Sequence, residues 1–361
     1  MRILFLTDDT LDVVSDPLYI GLSRILGDDH VVEYPYKGSY HDPDSRAWWL
    51  AQRSGRRYGR EEIVDLLRDR AFDLVCLASF RRESIDECAR LLEAVPFPPM
   101  VFVEGEDDPK IRYDVVARFP IQMYFKRDYV WGTGSKLRDL GAWWWIFRGN
   151  RELFERTVPL PVSIILDTLP DLGPVSKEID VSYRGNANHP RRVKAVEILS
   201  RMNDVRFSGG VYASPGDRKY KLKAGWRERL KTKLLDDRLA TEDLQKKYTP
   251  EAYYREIAAS KIAVAIRGGG RSYQRYYEIV GIGTLLITER PETLIPHNFV
   301  DRCHAVYCKP DLSDLEALVR YYLREEKERE AIAAEGRAHL LKYHTCERRA
   351  EYFLDMCRRV L

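Results

Sequence analysis

The residues best suited to chemistry are concentrated in the segment 266–288, IRGGGRSYQRYYEIVGIGTLLIT. Three consecutive glycines, Gly268, Gly269 and Gly270, follow an apolar stretch and precede residues with helical spacing. Glycine costs backbone entropy on folding and offers no side chain to bury, so a run of three needs a reason. Two reasons are open: a tight turn that reverses the chain, or a cradle in which an anion approaches bare backbone at a helix N-terminus.

Three arginines surround these glycines. Arg267 and Arg271 flank them, Arg275 follows one helical turn later, and Ser272 is expected to cap the helix. Guanidinium groups near a helix N-terminus oppose the positive end of the helix dipole unless an anion is bound there. This charge conflict favours a phosphate ligand, with solvated surface arginines as the alternative. The segment matches neither the dinucleotide pattern GxGxxG nor the phosphate-binding pattern GxxxxGK[ST].

Acidic residues supply the remaining chemistry. Glu278 lies three residues after Arg275, where its carboxylate is either half of a helix ion pair or an acceptor for two ligand hydroxyls. Acidic clusters also follow strand-like segments at Asp8–Asp9, Glu104–Glu106 and Asp107–Asp108. Such residues form turns well, and they also lie where parallel sheets bind ligands.

Alternating strands and helices must position these residues. Strand-like segments are 2–8, 30–36, 72–79, 99–105, 121–126, 179–185, 205–210, 261–266 and 284–288, and helical ones include 16–27, 60–69, 82–94, 189–202, 249–260 and 272–282. This alternation predicts parallel sheets covered on both faces by helices. A proline-containing stretch, 158–180, is the expected linker. The sequence therefore predicts two α/β domains, 1–165 and 175–345, and a closing helix, 346–361.

Composition excludes several function classes. With 45% hydrophobic and 32% charged residues and a net charge of +3 over 361 residues, the chain is globular and not a polycation. It has no apolar run of about 18 residues and no secretory leader pattern, so a cytoplasmic location is expected. The six cysteines show no CxxC spacing, and no metal site is predicted.

The segment 211–247 is basic, with eleven Lys or Arg against six Asp or Glu. It is consistent with nucleic-acid binding, with a surface excursion, or with a lid over an anionic acceptor. Because it mixes charges of both signs and has few aromatic residues, we expect no nucleic-acid partner.

The segment 253–345 resembles the C-terminal half of GT-B glycosyltransferases, in particular the group that includes the spore maturation (CgeB-like) proteins. The shared pattern is a strand, a glycine-containing loop, RxxE on a helix, a glycine, an apolar strand, IP…F, an acidic turn, and a closing G…YHT…R. Residues 180–199, DVSYRGNANHPRRVKAVEIL, resemble the opening strand, turn and helix of the same domain. Together these segments cover about half of the chain.

The resemblance implies an α/β fold of two Rossmann-like domains that face each other across a cleft. A nucleotide-sugar donor would be held mainly by the C-terminal domain. Glu278 would bind the donor ribose, Arg275 a phosphate, and the loop Gly268–Tyr273 the diphosphate or sugar, while Gly185 would let the donor pass close to the first strand. No metal or other cofactor would be needed, because helix N-termini and basic side chains stabilise the leaving nucleotide.

One departure from the family pattern concerns the mechanism. The retaining branch has a glutamate eight residues before the ribose-binding one, where this chain has Gly270. Inversion is therefore slightly favoured, and it needs a base on the N-terminal domain near the strand ends. The candidates are Asp9, His41 and Glu106, although Asp9 could simply end a strand and His41 could simply lie in a loop. The alternative function is a nucleotide- or sugar-binding protein that has lost the chemistry.

Other features leave alternatives open. The tryptophans at 143–145 and the segment 47–49 (AWW) suit stacking on sugar rings or packing at a domain interface. The arginine-rich face of the final helix is either solvated or in peripheral contact with a membrane. The acceptor could be a glycan, a lipid-linked glycan, a protein or a small molecule. The donor nucleotide and the oligomeric state are also open.

Overall fold

The computed structural model describes residues 1–42, 55–130, 136–187, 189–212, 249–268, 271 and 273–361. They form two compact units. The first unit contains Met1–Thr168, Glu292–Asn298 and Lys342–Leu361, and the second contains Leu169–Pro291 and Phe299–Leu341. The chain therefore leaves the first unit and ends in it again.

The first unit is a parallel sheet with strand order β2-β1-β3-β4-β5-β6. Its elements along the chain are β1 (Ile3–Leu6), α1 (Ser15–Leu26), β2 (Val31–Tyr34), α2 (Arg60–Arg68), β3 (Leu74–Leu77), α3 (Arg82–Ala94), β4 (Met100–Glu104), α4 (Tyr113–Arg118), β5 (Ile121–Lys126), α5 (Lys136–Trp145), α6 (Arg151–Glu155) and β6 (Thr157–Pro159). Strands β1 and β3 are buried along their whole length, as expected where helices cover both faces of a sheet.

The second unit is a parallel sheet with strand order β11-β10-β9-β7-β8. From here to the end, the chain forms β7 (Ile179–Asn186), α7 (Pro190–Ser200), β8 (Phe207–Tyr212), α8 (Pro250–Ala258), β9 (Ser260–Ala265), α9 (Arg275–Ile282), β10 (Leu285–Glu289), β11 (Val306–Cys308), α10 (Leu315–Arg324), α11 (Glu326–Tyr343) and α12 (Cys346–Cys357). Every helix within the described residues is too short or too polar to cross a bilayer.

The two sheets share one topology, and it fixes where ligands can bind. In each sheet the first strand has the second strand on one side and the third on the other, so the strand order reverses between β1 and β3 and again between β7 and β9. Parallel sheets bind ligands outside the carboxyl ends of their strands at this switch point. Each unit therefore has one expected binding edge.

The final helix belongs to the first unit. Helix α12 packs on α1, and Gly21 allows the close approach, because a Cβ atom there would lie 2.2 Å from the carbonyl oxygen of Cys346. Thr345 caps α12 by accepting a hydrogen bond from the backbone N–H of Arg348, and it also pairs with Ile164 in an isolated bridge. These contacts fix the chain end on the first unit.

The glycine segment differs from its prediction at the helix start. Helix α9 begins at Arg275, three residues later than expected, and its N-cap position is Gln274, which makes no capping side-chain hydrogen bond. Ser272, the expected cap, lies outside the described residues. At the other end, Gly283 ends α9 with a left-handed conformation, φ 84°.

Helix α8 begins at Pro250, one residue after the start of the predicted helical segment 249–260. Thr249 is its N-cap, with the Thr249 hydroxyl accepting from the backbone N–H of Ala252 at 3.3 Å, and Pro250 occupies the first position. We expect Thr249→Ala to lower the free energy of unfolding by about 1 kcal/mol, because an N–H of the first turn loses its partner. Urea titration measures this change. Thr249→Ser is the matched control and should retain most of the stability, whereas equal unfolding midpoints for wild type and Thr249→Ala would contradict the capping role.

Candidate functional site

The carboxyl ends of β7 and β9 bring most of the predicted donor-binding residues to one edge. Gly185 lies at the end of β7, and Arg267 and the buried Gly268 follow β9 directly. Arg275 and Glu278 come from the first turn of α9. Gly269, Gly270 and Ser272 lie outside the described residues, so their predicted contacts remain predictions.

Glu278 is held by two tyrosines of helix α8. The hydroxyl of Tyr253 donates to Oε2 of Glu278 and the hydroxyl of Tyr254 donates to Oε1, both at 3.3 Å. These bonds are long for O–H···O contacts, and a carboxylate has about four acceptor positions, so Glu278 can accept further hydroxyls. Burial raises the pKa of Glu278, and the charge of Arg275 opposes that rise. The tyrosines orient the carboxylate without using its full capacity.

Tyr253 links Glu278 to Arg275. Nε of Arg275 donates to the Tyr253 hydroxyl at 2.9 Å, and the guanidinium lies over the Tyr253 ring at 5.5 Å from its centroid. The Tyr253 hydroxyl therefore accepts a hydrogen bond from Arg275 and donates one to the Glu278 carboxylate. Arginine and carboxylate are thus held at a fixed separation by a side chain from a different helix, which a simple ion pair within α9 would not require.

A buried carboxylate that the sequence analysis did not single out organises the neighbouring loop. Glu289 ends strand β10, where it accepts from Nη1 of Arg191 at 2.7 Å and from the backbone N–H of Arg267 at 3.0 Å. The side chain of Arg267 is 3.9 Å from the same carboxylate. Arg267 is therefore partly neutralised by Glu289, and the charge conflict expected for three arginines is reduced. The sequence signal that could have identified Glu289 is its position as a charged residue at the carboxyl end of an apolar strand.

The rest of the loop is tied back to the sheet. The hydroxyl of Tyr273 is 2.7 Å from Oγ1 of Thr288 on β10, so Tyr273 faces the strand ends. Arg271 is half-buried. The side chain of Arg192 also reaches this edge, where its Nε donates to the carbonyl of Ile266 at 3.1 Å and its Nη1 to that of Asn186 at 3.3 Å.

Gly185 lies beside two side chains of the binding edge. A Cβ atom at this position would lie 2.8 Å from the Tyr183 hydroxyl and 3.4 Å from Nη1 of Arg275. The space that the glycine leaves free is therefore occupied by protein side chains that converge on the binding edge. Because Gly185 has no side chain, the Tyr183 hydroxyl and the Arg275 guanidinium can both occupy this space.

The switch point of the first unit also has a pocket. Its volume is about 670 Å³, and its lining comes from the carboxyl end of β2, the residues that follow β1, β2 and β3, the start of α2, and α3. The lining residues are Thr7, Asp8, Asp9, Thr10, Tyr34, Pro35, Tyr36, Arg60, Arg81, Glu83, Ser84, Glu87 and Arg90. Most of its charges are paired, since Arg81 lies 3.3 Å from Asp8 and Nε of Arg60 donates to Glu87 at 2.8 Å. Asp9 is an exposed carboxylate on its lining.

His41 is held inside the first unit. Its Nε2 lies 2.6 Å from Oε1 of Glu33, and the side chain is 3% exposed. Glu33 in turn accepts from the Tyr19 hydroxyl at 2.8 Å, while the His41 ring stacks on Tyr36 at 4.9 Å. This environment fixes the imidazole and gives it little access to solvent.

Glu106 lies beyond β4 and is partly exposed. Its Oε2 is 3.9 Å from Nη1 of Arg112, and it does not line the pocket that contains Asp9. Two residues earlier, Glu104 is fully buried and bonded to Lys126 and to the hydroxyl of Tyr124. The three catalytic candidates therefore occupy three different environments: exposed, buried, and half-exposed beside an arginine.

The tryptophans divide into two groups. The Trp143 ring packs against Phe154 at 5.2 Å, but Trp144 and Trp145 are 63% and 86% exposed. Stacking on sugar rings and packing at a domain interface both remain predictions for the last two. The segment 47–49 and almost all of the basic segment 211–247 lie outside the described residues. Over the part of the chain that is described, no three His, Cys, Asp or Glu side chains are grouped as a metal site would need.

Comparison with known proteins identifies the type of this architecture. Residues 191–355 match the model of a family described as glycosyl transferase-like. Among curated proteins, no sequence match is found. The fold is similar to that of HepE from Anabaena, solved with UDP-glucose, at 11% identity and a TM-score of 0.63 over 99% of this chain and 100% of that one.

Two further solved structures have the same fold. A glycosyltransferase from Rickettsia africae is 11% identical, with a TM-score of 0.60 over 99% of this chain and 98% of that one. Sucrose-phosphate synthase from Thermosynechococcus elongatus is 12% identical, with a TM-score of 0.57 over 100% of this chain and 99% of that one. These structural similarities confirm the predicted GT-B fold.

Proposed function

We propose that this protein transfers a glycosyl group from a nucleotide-sugar donor to an acceptor hydroxyl. The observation that carries the proposal is the Glu278 carboxylate, oriented by two tyrosines beside Arg275 at the switch point of the second unit. The family match over residues 191–355 supports the same reading. The kinship with spore maturation (CgeB-like) proteins is part of this proposal.

The donor would be held by its ribose and its phosphates. Glu278 accepts the two ribose hydroxyls, since its carboxylate has acceptor capacity beyond the two tyrosines. Arg275 neutralises a phosphate, and the loop from Arg267 to Tyr273, together with Gly185, lines the path of the diphosphate and sugar. Because HepE was solved with UDP and with UDP-glucose, uridine diphosphate sugars are the first donors to test.

The chemistry proposed is metal-independent and, with Gly270 in place of the retaining glutamate, inverting. As the bond from the sugar to the phosphate breaks, negative charge grows on the phosphate oxygen, and fixed cations stabilise it. A base takes the proton of the acceptor hydroxyl. Among Asp9, His41 and Glu106, we place Asp9 first, because it is the exposed carboxylate that lines a pocket.

The catalytic base is tested by conservative substitution. We expect Asp9→Asn to lower kcat about 10²- to 10⁴-fold, the usual contribution of a general base, with the Kd for the nucleoside diphosphate unchanged. Glu83→Gln is the matched control, since Glu83 is an exposed carboxylate on the same pocket. A kcat for Asp9→Asn within threefold of wild type would move the role to Glu106 or His41, each tested by substitution with Gln.

The donor pocket is tested by a thermal-shift panel of UDP, GDP, dTDP, CDP and CMP. A nucleotide at about 100 times its Kd should stabilise the fold by roughly 2.7 kcal/mol, which is readily resolved. Stabilisation by one nucleoside diphosphate, followed by release of that nucleotide from its sugar conjugate, is the expected result. A folded protein that no nucleotide stabilises would contradict the proposal.

The environments of two base candidates favour a second candidate function, nucleotide or sugar binding without catalysis. His41 is buried against Glu33, and Glu106 lies beside Arg112. A nucleotide- or sugar-binding protein without transferase chemistry would have the same donor site and no working base. Nucleotide stabilisation without sugar release from any conjugate would favour this second function.

A further inference from the structure

A buried hydroxyl without a partner lies at the binding edge of the second unit. Tyr183, on β7, is 1% exposed, and no hydrogen-bonding group within the described residues reaches its hydroxyl. Buried polar groups are nearly always paired, because leaving one unpaired is costly. An unpaired hydroxyl in this position therefore requires an explanation.

The hydroxyl projects along the sheet toward the strand end. Tyr183 and Gly185 are two residues apart on one strand, so they share a face of the sheet. A Cβ atom at Gly185 would be 2.8 Å from the Tyr183 hydroxyl and 3.4 Å from Nη1 of Arg275. The absence of a side chain at Gly185 brings the phenol and the guanidinium together at the carboxyl end of β7.

A second arginine acts on the same hydroxyl. Burial raises the pKa of Tyr183 to about 12, and the positive charges of Arg192 and Arg275 oppose that rise. Burial also lowers the pKa of Arg192, and repulsion from Arg275 adds to the effect. Two guanidinium groups and one phenol thus converge, and arginine offers no acceptor for the phenolic proton.

We propose that the Tyr183 hydroxyl donates a hydrogen bond to a phosphate oxygen of the bound donor, between Arg192 and Arg275. This inference rests on the proposed function of the same edge. A phosphate oxygen is an anionic acceptor that can receive hydrogen bonds from the phenol and from both guanidinium groups. The hydroxyl then distinguishes ligands that carry a phosphate from those that do not. Tyr183 is a specificity-determining residue in this scheme.

The chain offers a matched pair of variants. Tyr183→Phe removes only the hydroxyl and keeps the ring in the core. Tyr322→Phe is the control, because Tyr322 is 0% exposed in the same unit, on α10, and its hydroxyl likewise finds no hydrogen-bond partner in the described parts of the chain. Neither substitution removes a known hydrogen bond, so both proteins should fold.

The test measures Kd by calorimetry for the nucleoside diphosphate found by the panel, for its parent nucleoside, and for inorganic pyrophosphate. We expect Tyr183→Phe to raise the Kd of the diphosphate and of pyrophosphate about 10- to 100-fold, the usual range for a hydrogen bond to a charged group. The nucleoside Kd and the unfolding midpoint of the free protein should not worsen. Tyr322→Phe should change none of these values.

Two results would overturn the inference. One is a diphosphate Kd for Tyr183→Phe within twofold of wild type. The other is a lower unfolding midpoint for the free variant, which would reveal a partner for the hydroxyl within the protein. Pyrophosphate separates this inference from the proposed function: Tyr183-dependent binding of pyrophosphate without any nucleotide binding would support the anion site and contradict the glycosyltransferase. Nucleotide binding that is weakened by Glu278→Ala but unchanged by Tyr183→Phe would contradict this inference and support the proposed function.

Discussion

Glu278→Ala is expected to raise the Kd of the nucleoside diphosphate by about 10²- to 10⁴-fold. Each hydrogen bond from a ribose hydroxyl to the ionised carboxylate contributes about 1.5–3 kcal/mol, and tenfold in Kd corresponds to about 1.4 kcal/mol. Two such bonds are lost together. The substitution also removes the acceptor of the Tyr253 and Tyr254 hydroxyls, so the pocket loses its orientation as well as its charge.

Calorimetry with wild type, Glu278→Ala and a control variant measures this effect. Glu251→Ala is the control, because Glu251 is an exposed carboxylate on α8 whose side chain pairs with Arg255 one turn away. A 2′-deoxynucleotide should lose affinity for wild type and much less for Glu278→Ala. If the Kd of the nucleoside diphosphate for Glu278→Ala lies within threefold of the wild-type value, Glu278 does not bind the ribose.

The affinity should also depend on pH in a defined direction. Burial raises the pKa of Glu278, and the ionised carboxylate is the form that accepts ribose hydroxyls best. Acidification through that raised pKa therefore protonates Glu278 and weakens nucleotide binding. The Glu278→Ala variant should lack this component of the pH dependence.

The largest expected loss of stability follows from Lys126→Met. Glu104 and Lys126 are both buried in the first unit and form an ion pair, with the Tyr124 hydroxyl as a further donor to the carboxylate. Removing the cation leaves a buried carboxylate without its counter-charge, which costs about 3–5 kcal/mol. Urea unfolding at pH 8, where Glu104 of the wild type is ionised, measures this loss.

The loss should depend on pH, because burial raises the pKa of Glu104 to about 7, and Lys126 acts to lower it. A raised carboxyl pKa means that the folded protein holds the proton more tightly than the unfolded chain does. Its contribution to stability is therefore full below the unfolded pKa of 4.5 and declines as the pH rises through 7. Without Lys126 the decline should extend to higher pH, so Lys126→Met should be closest to wild type near pH 5 and furthest from it near pH 8.

Two controls make this result specific. The double variant Lys126→Met with Glu104→Gln should recover part of the stability, because no buried charge remains. Lys110→Met removes an exposed lysine that lies 4.0 Å from Asp108, and it should have no measurable effect. A Lys126→Met variant that loses the same stability at pH 5 and pH 8 would show that the carboxylate is not the cause.

The sequence predicts the parts of this fold that local patterns determine. Helix α3 and strand β5 have the bounds expected from the sequence, 82–94 and 121–126, because each has a clear hydrophobic period and a clear end. The short helices α4 and α6 were not predicted, since five or six residues are too few for a period to be recognised. The start of α9 was predicted too early because Ser272 suits a cap by type alone.

The candidate site was predictable only in part. The RxxE spacing of Arg275 and Glu278 pointed to the binding edge, but their bridge, Tyr253, comes from another helix and requires the fold. The buried pair of Arg184 and Glu256, joined at 2.6 Å, is also a contact across 72 residues that no local pattern reveals. Glu33 was the missed signal for His41, since a glutamate inside an apolar strand needs a buried partner.

The most direct test is a crystal structure of the protein with the nucleoside diphosphate selected by the thermal-shift panel. We predict that the ribose hydroxyls lie within hydrogen-bonding distance of the Glu278 carboxylate, with the phosphates beyond the carboxyl end of β7. A nucleotide bound elsewhere, with Glu278 contacted only by Tyr253 and Tyr254, would contradict the donor-binding role of Glu278.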